Sequence, residues 1–324
     1  MELTQKQKEG LEIAVARYHE RKPWTCIAGY AGTGKSTLIK FIISSLNLNE
    51  ERDVCYVTFT GKASLVLREK GCKNACTAHK LLYKSYPRSD GTFYHAPRKI
   101  IPNYKLIVVD EVSMLPKNIW DLLLSHKIHV IALGDPGQLP PIGDDNEILK
   151  TPHIFLDEIM RQAKESEIIQ LTMDIRAGKP LKLFQGQEVQ IIDKKDLVSG
   201  MLLWADQIIC AKNETRKNIN NLMRTYLHGD NAKKNILLDG DKVICLRNYW
   251  DSWNYDNGDP LVNGTIGTIH NPRNDIIRVP YYAYNKGVIH TLQADFTSDL
   301  NEHFGEVSMD PKIMMGGDSE LEWR

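Results

Sequence analysis

Apolar residues in the first half of the chain fall into two alternating kinds of run. Residues 25–28, 54–59, 106–109 and 129–133 are short and mostly apolar, the pattern of strands buried on both faces. Between them, residues 4–19, 37–46 and 61–70 read as helices; Leu11, Val15 and Tyr18 form the apolar stripe of the first. Alternation of this kind predicts an α/β domain with a parallel sheet covered by helices. The 106–109 run ends at Asp110-Glu111 and the 129–133 run at Gly134-Asp135. Polar residues therefore collect at the C-terminal ends of strands, where open α/β sheets place their ligands.

The rhythm breaks at residues 83–102, where Pro87, Asp90-Gly91, Phe93-Tyr94 and Pro97 predict a protruding hairpin that turns near Asp90-Gly91. It changes again after Pro140-Pro141. Residues 157–177 and 214–227 read as helices and 206–210 as a strand. From 241 to about 296 the chain is rich in strands and turns, with strands expected at 242–246, 264–269, 276–282 and 287–292. The pattern divides the chain into an α/β domain over 1–150, the start of a second domain over 151–240, and a small β-rich module with a tail over 241–324.

Length and charge narrow this picture. At 324 residues the chain can hold two domains with separate cores. Lys and Arg equal Asp and Glu at 41 each, which excludes a wholly basic surface but not a local nucleic-acid track. The polar N-terminus and the lack of a long apolar run predict neither a signal peptide nor a membrane span. Six scattered cysteines suit reduced thiols in a cytoplasm. Cys72-x3-Cys76-x2-His79 has part of a zinc spacing but lacks further ligands, so loop cysteines beside a working histidine are the preferred reading.

Chemistry enters with Gly29-Tyr-Ala-Gly-Thr-Gly34-Lys35-Ser36, a phosphate loop placed between a strand and a helix. Its candidate nucleotide-binding set is Gly29, Ala31, Gly32, Thr33, Gly34, Lys35, Ser36 and Thr37. The motif implies ATP, with Lys35 on the β- and γ-phosphates, and Mg²⁺ held by the Ser36 hydroxyl. Asp110 at a strand end is the second metal candidate, and its neighbour Glu111 the candidate base for an attacking water. Gln138, beyond a strand expected to lie beside that of Asp110, is placed to touch the γ-phosphate or the water. Thr60, Lys62, Thr77 and His79 follow strands and carry groups suited to phosphate contacts, although ordinary surface polarity explains each singly. Phe93-Tyr94 is either local packing or a base-stacking wedge, and local packing is preferred for Trp250, Trp253 and Tyr255.

Taken in order, these segments resemble a known family, the superfamily 1B DNA helicases of the RecD/Dda-like group. Leu3-Thr-x-x-Gln7 is similar to the adenine-reading Q motif, 29–37 to motif I, 60–63 to motif Ia and Thr77-x-His79 to motif Ib. Asp110-Glu-Val-Ser-Met114 resembles motif II, 134–141 motif III, and Asp157-Glu-Ile-Met-Arg161-Gln162 motif IV. Asn263-Gly264-Thr-Ile-Gly267 is similar to a turn in the family's SH3-like insertion. The resemblance implies two RecA-like domains, the second incomplete here and carrying the SH3-like module. It implies Arg161 as an arginine finger, Gln7 as an adenine contact, Phe93 on a strand-separating pin, and Asn263 as a DNA contact. The implied activity is ATP hydrolysis coupled to 5′→3′ movement on single-stranded DNA and at duplex junctions, in the cytoplasm of a bacterial or phage-infected cell.

Beyond Asn263 the resemblance stops. No segment matches motif V or motif VI, which carries a second arginine finger. The sequence therefore predicts a truncated or split form, slow in hydrolysis by itself. The alternative is a non-motor ATP- and DNA-binding subunit whose motifs V and VI come from a second polypeptide. A small-molecule kinase would need neither Gln138 nor Arg161.

Overall fold

The chain begins with a helix whose start is dictated by its first residues. Thr4 caps α1 (Gln5–His19), with its hydroxyl accepting from the Gln7 amide, while the Gln7 side chain accepts from the Thr4 amide. This reciprocal capping box satisfies two of the donors a helix leaves open at its N-terminus. In the computed structural model the residues described are 2–87, 93–141, 144–158, 166–234, 237–245, 249–253, 260–261, 263–278, 288–298 and 303–309.

A parallel sheet follows from the short apolar runs. Its strands are β1 (Trp24–Gly29), β2 (Val54–Thr58), β3 (Ala75–Thr77), β6 (Leu106–Val109), β7 (His129–Gly134) and β8 (Ile154–Leu156), in the order β3-β2-β6-β7-β1-β8. Successive residues of each strand point to opposite faces, and the core divides accordingly. Ile27, Tyr56, Val108 and Ile131 pack on one side against α2 (Lys35–Ser45), whose Leu38, Ile39 and Ile42 are fully buried or nearly so. Cys26, Val57, Ile107 and Val130 pack on the other against α6 (Lys117–Ser125), through Ile119, Trp120 and Leu123. The α/β fold with a parallel sheet is as the pattern predicts; within the expected hairpin, β4 (Tyr83–Pro87) and β5 (Phe93–Pro97) are neighbours in a two-stranded sheet. Its turn at Asp90-Gly91 lies outside the described residues.

Two compact units divide the chain, one of Met1–Ser85 and His95–Asp193 and the other of Tyr86–Tyr94 and Lys194–Arg324. In the second, Lys242–Ile244, Ile266–Arg278, Val288–Ser298 and His303–Met309 form a four-stranded antiparallel sheet. Ile269, Ala294, Phe296, Phe304 and Val307 make its core. Gly267 is forced by this sheet, since a Cβ there would lie 2.2 Å from the Thr297 carbonyl.

Three expectations change. The separate strands at 264–269 and 276–282 are one strand through Arg278, kinked by a register shift between His270 and Arg273, because a bulge absorbs the polar Asn271-Pro-Arg stretch that reads as a turn. Of the helix expected over 157–177, Glu167–Arg176 is observed, Asp157 and Glu158 are irregular, and 159–165 lie outside the described residues. Residues 206–210 form no strand, and Ile209 is 90% exposed. A strand requires a neighbour for its N–H and C=O groups. Among the described residues of the second unit no parallel sheet exists for this segment to join.

Candidate active site

β1 delivers the chain into the phosphate loop at Gly29, where a Cβ would lie 2.8 Å from both the Leu156 carbonyl and the Thr33 hydroxyl. Gly32 and Gly34 adopt φ of 75° and 79°, the left-handed region open to glycine. Gly34 caps α2, so Lys35 and Ser36 open its first turn. A loop that ends on the positive pole of an 11-residue helix is an anion site. Lys35 Nζ donates to the carbonyls of Gly29 at 2.7 Å and Tyr30 at 3.0 Å. Burial lowers the Lys35 pKa, opposed by the carboxylates of Asp135, Glu111 and Asp110. Those three acids thus act on the charge of the lysine, although they follow strands far apart in sequence.

The strand order explains how. β7 lies between β6 and β1, so Asp110-Glu111 and the turn after β7 emerge beside the phosphate loop. Asp110 Oδ1 accepts from the Glu111 amide at 3.0 Å. Burial raises the Asp110 pKa, and burial followed by the charge of Asp110 raises that of Glu111. Glu111 sits at φ 53°, an uncommon conformation for a side-chain-bearing residue that turns the chain out of the sheet. Its Oε2 is buried with no hydrogen-bond partner among the described residues. That oxygen is an acceptor in position for a water. Ser113 Oγ donates to Gln138 Oε1 at 3.0 Å, and a hydrogen bond from Gln138 favours the ionised Glu111. Hydroxyl and carboxylate oxygens from Ser36 and Asp110 fit the preference of Mg²⁺ for hard ligands.

Gln7 is placed differently from an open base contact. It is 1% exposed, and its Nε2 donates to the Thr33 carbonyl at 3.1 Å while its Oε1 accepts from Thr4. Gln7 therefore ties α1 to the phosphate loop. Ala31, Gly32 and Ser36 are exposed in that loop, with Thr37 half-buried on the helix behind it.

The candidate DNA contacts split into separate groups. Thr60 caps α4 (Gly61–Glu69), and Lys62 lies in its first turn. Thr77 caps α5 (Ala78–Leu82), which carries His79. β2 and β3 are neighbours, with Thr58 opposite Thr77, so all four emerge along one edge of the sheet's C-terminal side. The His79 ring stacks on Tyr83 at 5.7 Å, and burial followed by the charge of His95 lowers its pKa. Phe93 is on β5, and its neighbour Tyr94 is 51% exposed. Asn263 is exposed, before a left-handed Gly264 that donates to the Cys245 carbonyl at 2.7 Å. Arg161 lies outside the described residues, as does Tyr255. Among the described residues no cluster of three metal-ligating side chains exists, around Cys72, Cys76 and His79 or elsewhere. Cys76 instead meets Cys55, at 3.8 Å.

Sequence reasoning missed Arg176. It ends the Glu167–Arg176 helix and pairs with Asp135, whose side chain is 5% exposed. Its guanidinium lies 4.7 Å over the ring of Tyr30, the second residue of the phosphate loop. No local motif marks it. The signal available was Asp135, a carboxylate at a buried strand end that requires a partner.

This geometry accompanies a match to a known domain family. Residues 12–144 match the AAA domain. The chain is 29% identical over 191 residues to the ATP-dependent DNA helicase dda of Enterobacteria phage T4, covering 55% of this chain and 43% of that protein. It is 24% identical over 279 residues to the uncharacterized protein R530 of Acanthamoeba polyphaga mimivirus, covering 70% and 56%. The aligned stretches span about half the length of these two relatives. Among solved structures, the Pif1 helicase of Candida albicans aligns with a TM-score of 0.46 at 18% identity, over 96% of this chain and 78% of that one. No helix among the described residues is long and apolar enough to cross a membrane.

Proposed function

We propose that the chain is an ATP-dependent DNA helicase motor that couples hydrolysis to 5′→3′ movement on single-stranded DNA. The observation that carries this reading is the convergence of Lys35, Asp110, Glu111 and Gln138 at the ends of adjacent parallel strands, with one Glu111 oxygen left for a water. Lys35 neutralises charge on the phosphates. Glu111, its pKa raised by burial, takes the proton of the attacking water, and Gln138 orients that water while hydrogen-bonded to Ser113. Ser36 and Asp110 would hold Mg²⁺, which would supply positive charge to offset that of the phosphates. Thr60, Lys62, Thr77 and His79 are assigned to the DNA backbone, Phe93 and Asn263 to further DNA contacts, and Arg161 to the γ-phosphate. The test is ATP turnover with and without single-stranded DNA, together with unwinding of a tailed duplex. Stimulation by DNA with unwinding supports the motor, and turnover indifferent to DNA removes it.

One observation favours a second reading, a non-motor ATP- and DNA-binding subunit completed by another polypeptide. The helices Ser199–Trp204 and Asn213–His228 bury no residue, while Trp204 is 87% and Leu227 62% exposed. Apolar surface of this kind marks a partner face. Under this reading the chain binds ATP and DNA but turns over slowly until the partner is added.

A further inference from the structure

The ATP site has a participant that none of the helicase motifs contains. Arg176 closes a helix that follows all three strands of the site, yet its side chain reaches back between two catalytic loops. On one side it pairs with Asp135, the first residue after β7. On the other it covers the ring of Tyr30 at 4.7 Å, and that ring meets Phe155 edge-on at 5.4 Å. Gly137 makes the room: a Cβ there would lie 2.8 Å from Arg176 Nε. Asp135 Oδ1 in turn accepts from the Gly137 amide at 2.8 Å, which shapes the turn into Gln138. The chain of contacts thus runs from Tyr30 through Arg176 and Asp135 to Gln138, and from there through Ser113 to the motif II strand end.

We propose that Arg176 is a positioning residue for hydrolysis, tying the phosphate loop to the turn that carries Gln138. The proposal rests on the helicase reading above and names the residue that keeps its two loops in register. A planar guanidinium is suited to this task because one group can hydrogen-bond a carboxylate at its edge and stack on an aromatic ring with its face. A lysine keeps the charge and loses the stacking plane. The short side chain of Asp135 is nearly buried, so removing its cationic partner leaves a desolvated carboxylate that pulls the turn toward water. Asp110, Glu111 and Lys35 hold their own contacts without Arg176, so nucleotide binding and the chemical step should separate.

The test uses the full chain in two arms. Amide hydrogen exchange at Asp135, Gly137 and Gln138 reads the tie directly, without nucleotide. Exchange there should quicken at least tenfold in Arg176→Ala, change little in Tyr30→Phe, and take an intermediate value in Arg176→Lys. ATP turnover reads the consequence. Arg176→Ala should lower kcat at least tenfold with KM for ATP within about threefold, and Arg176→Lys should recover only part. Asp135→Asn combined with Arg176→Ala should be no worse than the more damaging single change, because both cut one path. Unchanged exchange overturns the tie. Wild-type kcat, a rise confined to KM, or additive losses overturn the positioning role. A wild type that hydrolyses no ATP while the exchange effect holds strikes down the motor reading and the catalytic role of Arg176, leaving the tie intact.

Discussion

Gln7 offers the sharpest separation between what its motif implies and what its surroundings require. Gln7→Met keeps the length and bulk of the side chain but removes both ends of its amide. The Thr4 amide then loses its acceptor, and the Thr33 carbonyl loses the donor at 3.1 Å. Loss of the capping half costs about 1 kcal/mol. The Thr33 half leaves a buried carbonyl unsatisfied, for roughly 1–3 kcal/mol more, since Thr33 is itself 1% exposed. The expected total is about 2–4 kcal/mol. In a unit of this size each kcal/mol moves the melting midpoint by roughly 2–4 °C, so a thermal melt should fall by about 5–15 °C. The functional arm is competition of ATP and GTP for the site. A glutamine acting through Thr33 shapes the phosphate loop, so both nucleotides should weaken by the same factor. Weakening of ATP alone, with GTP and the midpoint unchanged, would refute the reasoning and return Gln7 to the adenine.

Three further outcomes follow from the same geometry. Lys35→Ala should abolish turnover while leaving the melting midpoint within a few degrees, because among the described residues the lysine bonds to two loop carbonyls; unchanged turnover would mean the site is elsewhere. Glu111→Gln should lower kcat by about 100-fold or more, the scale of a lost general base, and raise the midpoint at neutral pH. Burial lifts the folded-state pKa of Glu111 above its unfolded value, so ionisation opposes folding once pH exceeds the unfolded pKa, and the neutral amide escapes that cost; a lowered midpoint contradicts this. Asp53 carries the opposite sign, since Arg52, the Asn49 amide and Lys105 hold its carboxyl well below the usual range. Its contribution is full above the unfolded pKa of about 4 and disappears as pH falls through the depressed folded value. The midpoint gap between wild type and Asp53→Asn should therefore hold from neutral pH to about 4 and close below it.

The sheet was legible in the sequence because its strands are buried on both faces. A run such as Leu106-Ile-Val-Val has no polar face to confuse it with a helix of the same length, and its bounds match those observed. The Ile208-Ile209 run misleads by the same logic. Apolar character expresses a demand for burial, and residue 209 remains exposed where no described strand lies beside it. Such a run states what a segment would do in a sheet and says nothing about whether the sheet is there. The long strand Ile266–Arg278 fails for a different reason. Pro272 reads as a stop signal, yet a bulge lets the chain pass it and resume pairing with Leu292 and its neighbours.

Within the ATP site, legibility follows backbone constraint. Gly29, Gly32 and Gly34 each answer to a conformation or a close approach that no other residue tolerates without strain, so their spacing alone announces the loop. Asp110, Glu111 and Gln138 follow from strand ends, once the strands are known to be parallel neighbours. Arg176 has neither kind of marker. Its helix starts beyond residues 159–165, and its side chain is aimed by tertiary packing that places Asp135 and the Tyr30 ring at opposite sides of one guanidinium. A buried carboxylate at the end of β7 demands a cation, but sequence does not say which one arrives. The demand is readable and the supplier is not, and that asymmetry locates the residues a motif search will pass over: partners of buried charges, contributed from elements that follow the motifs.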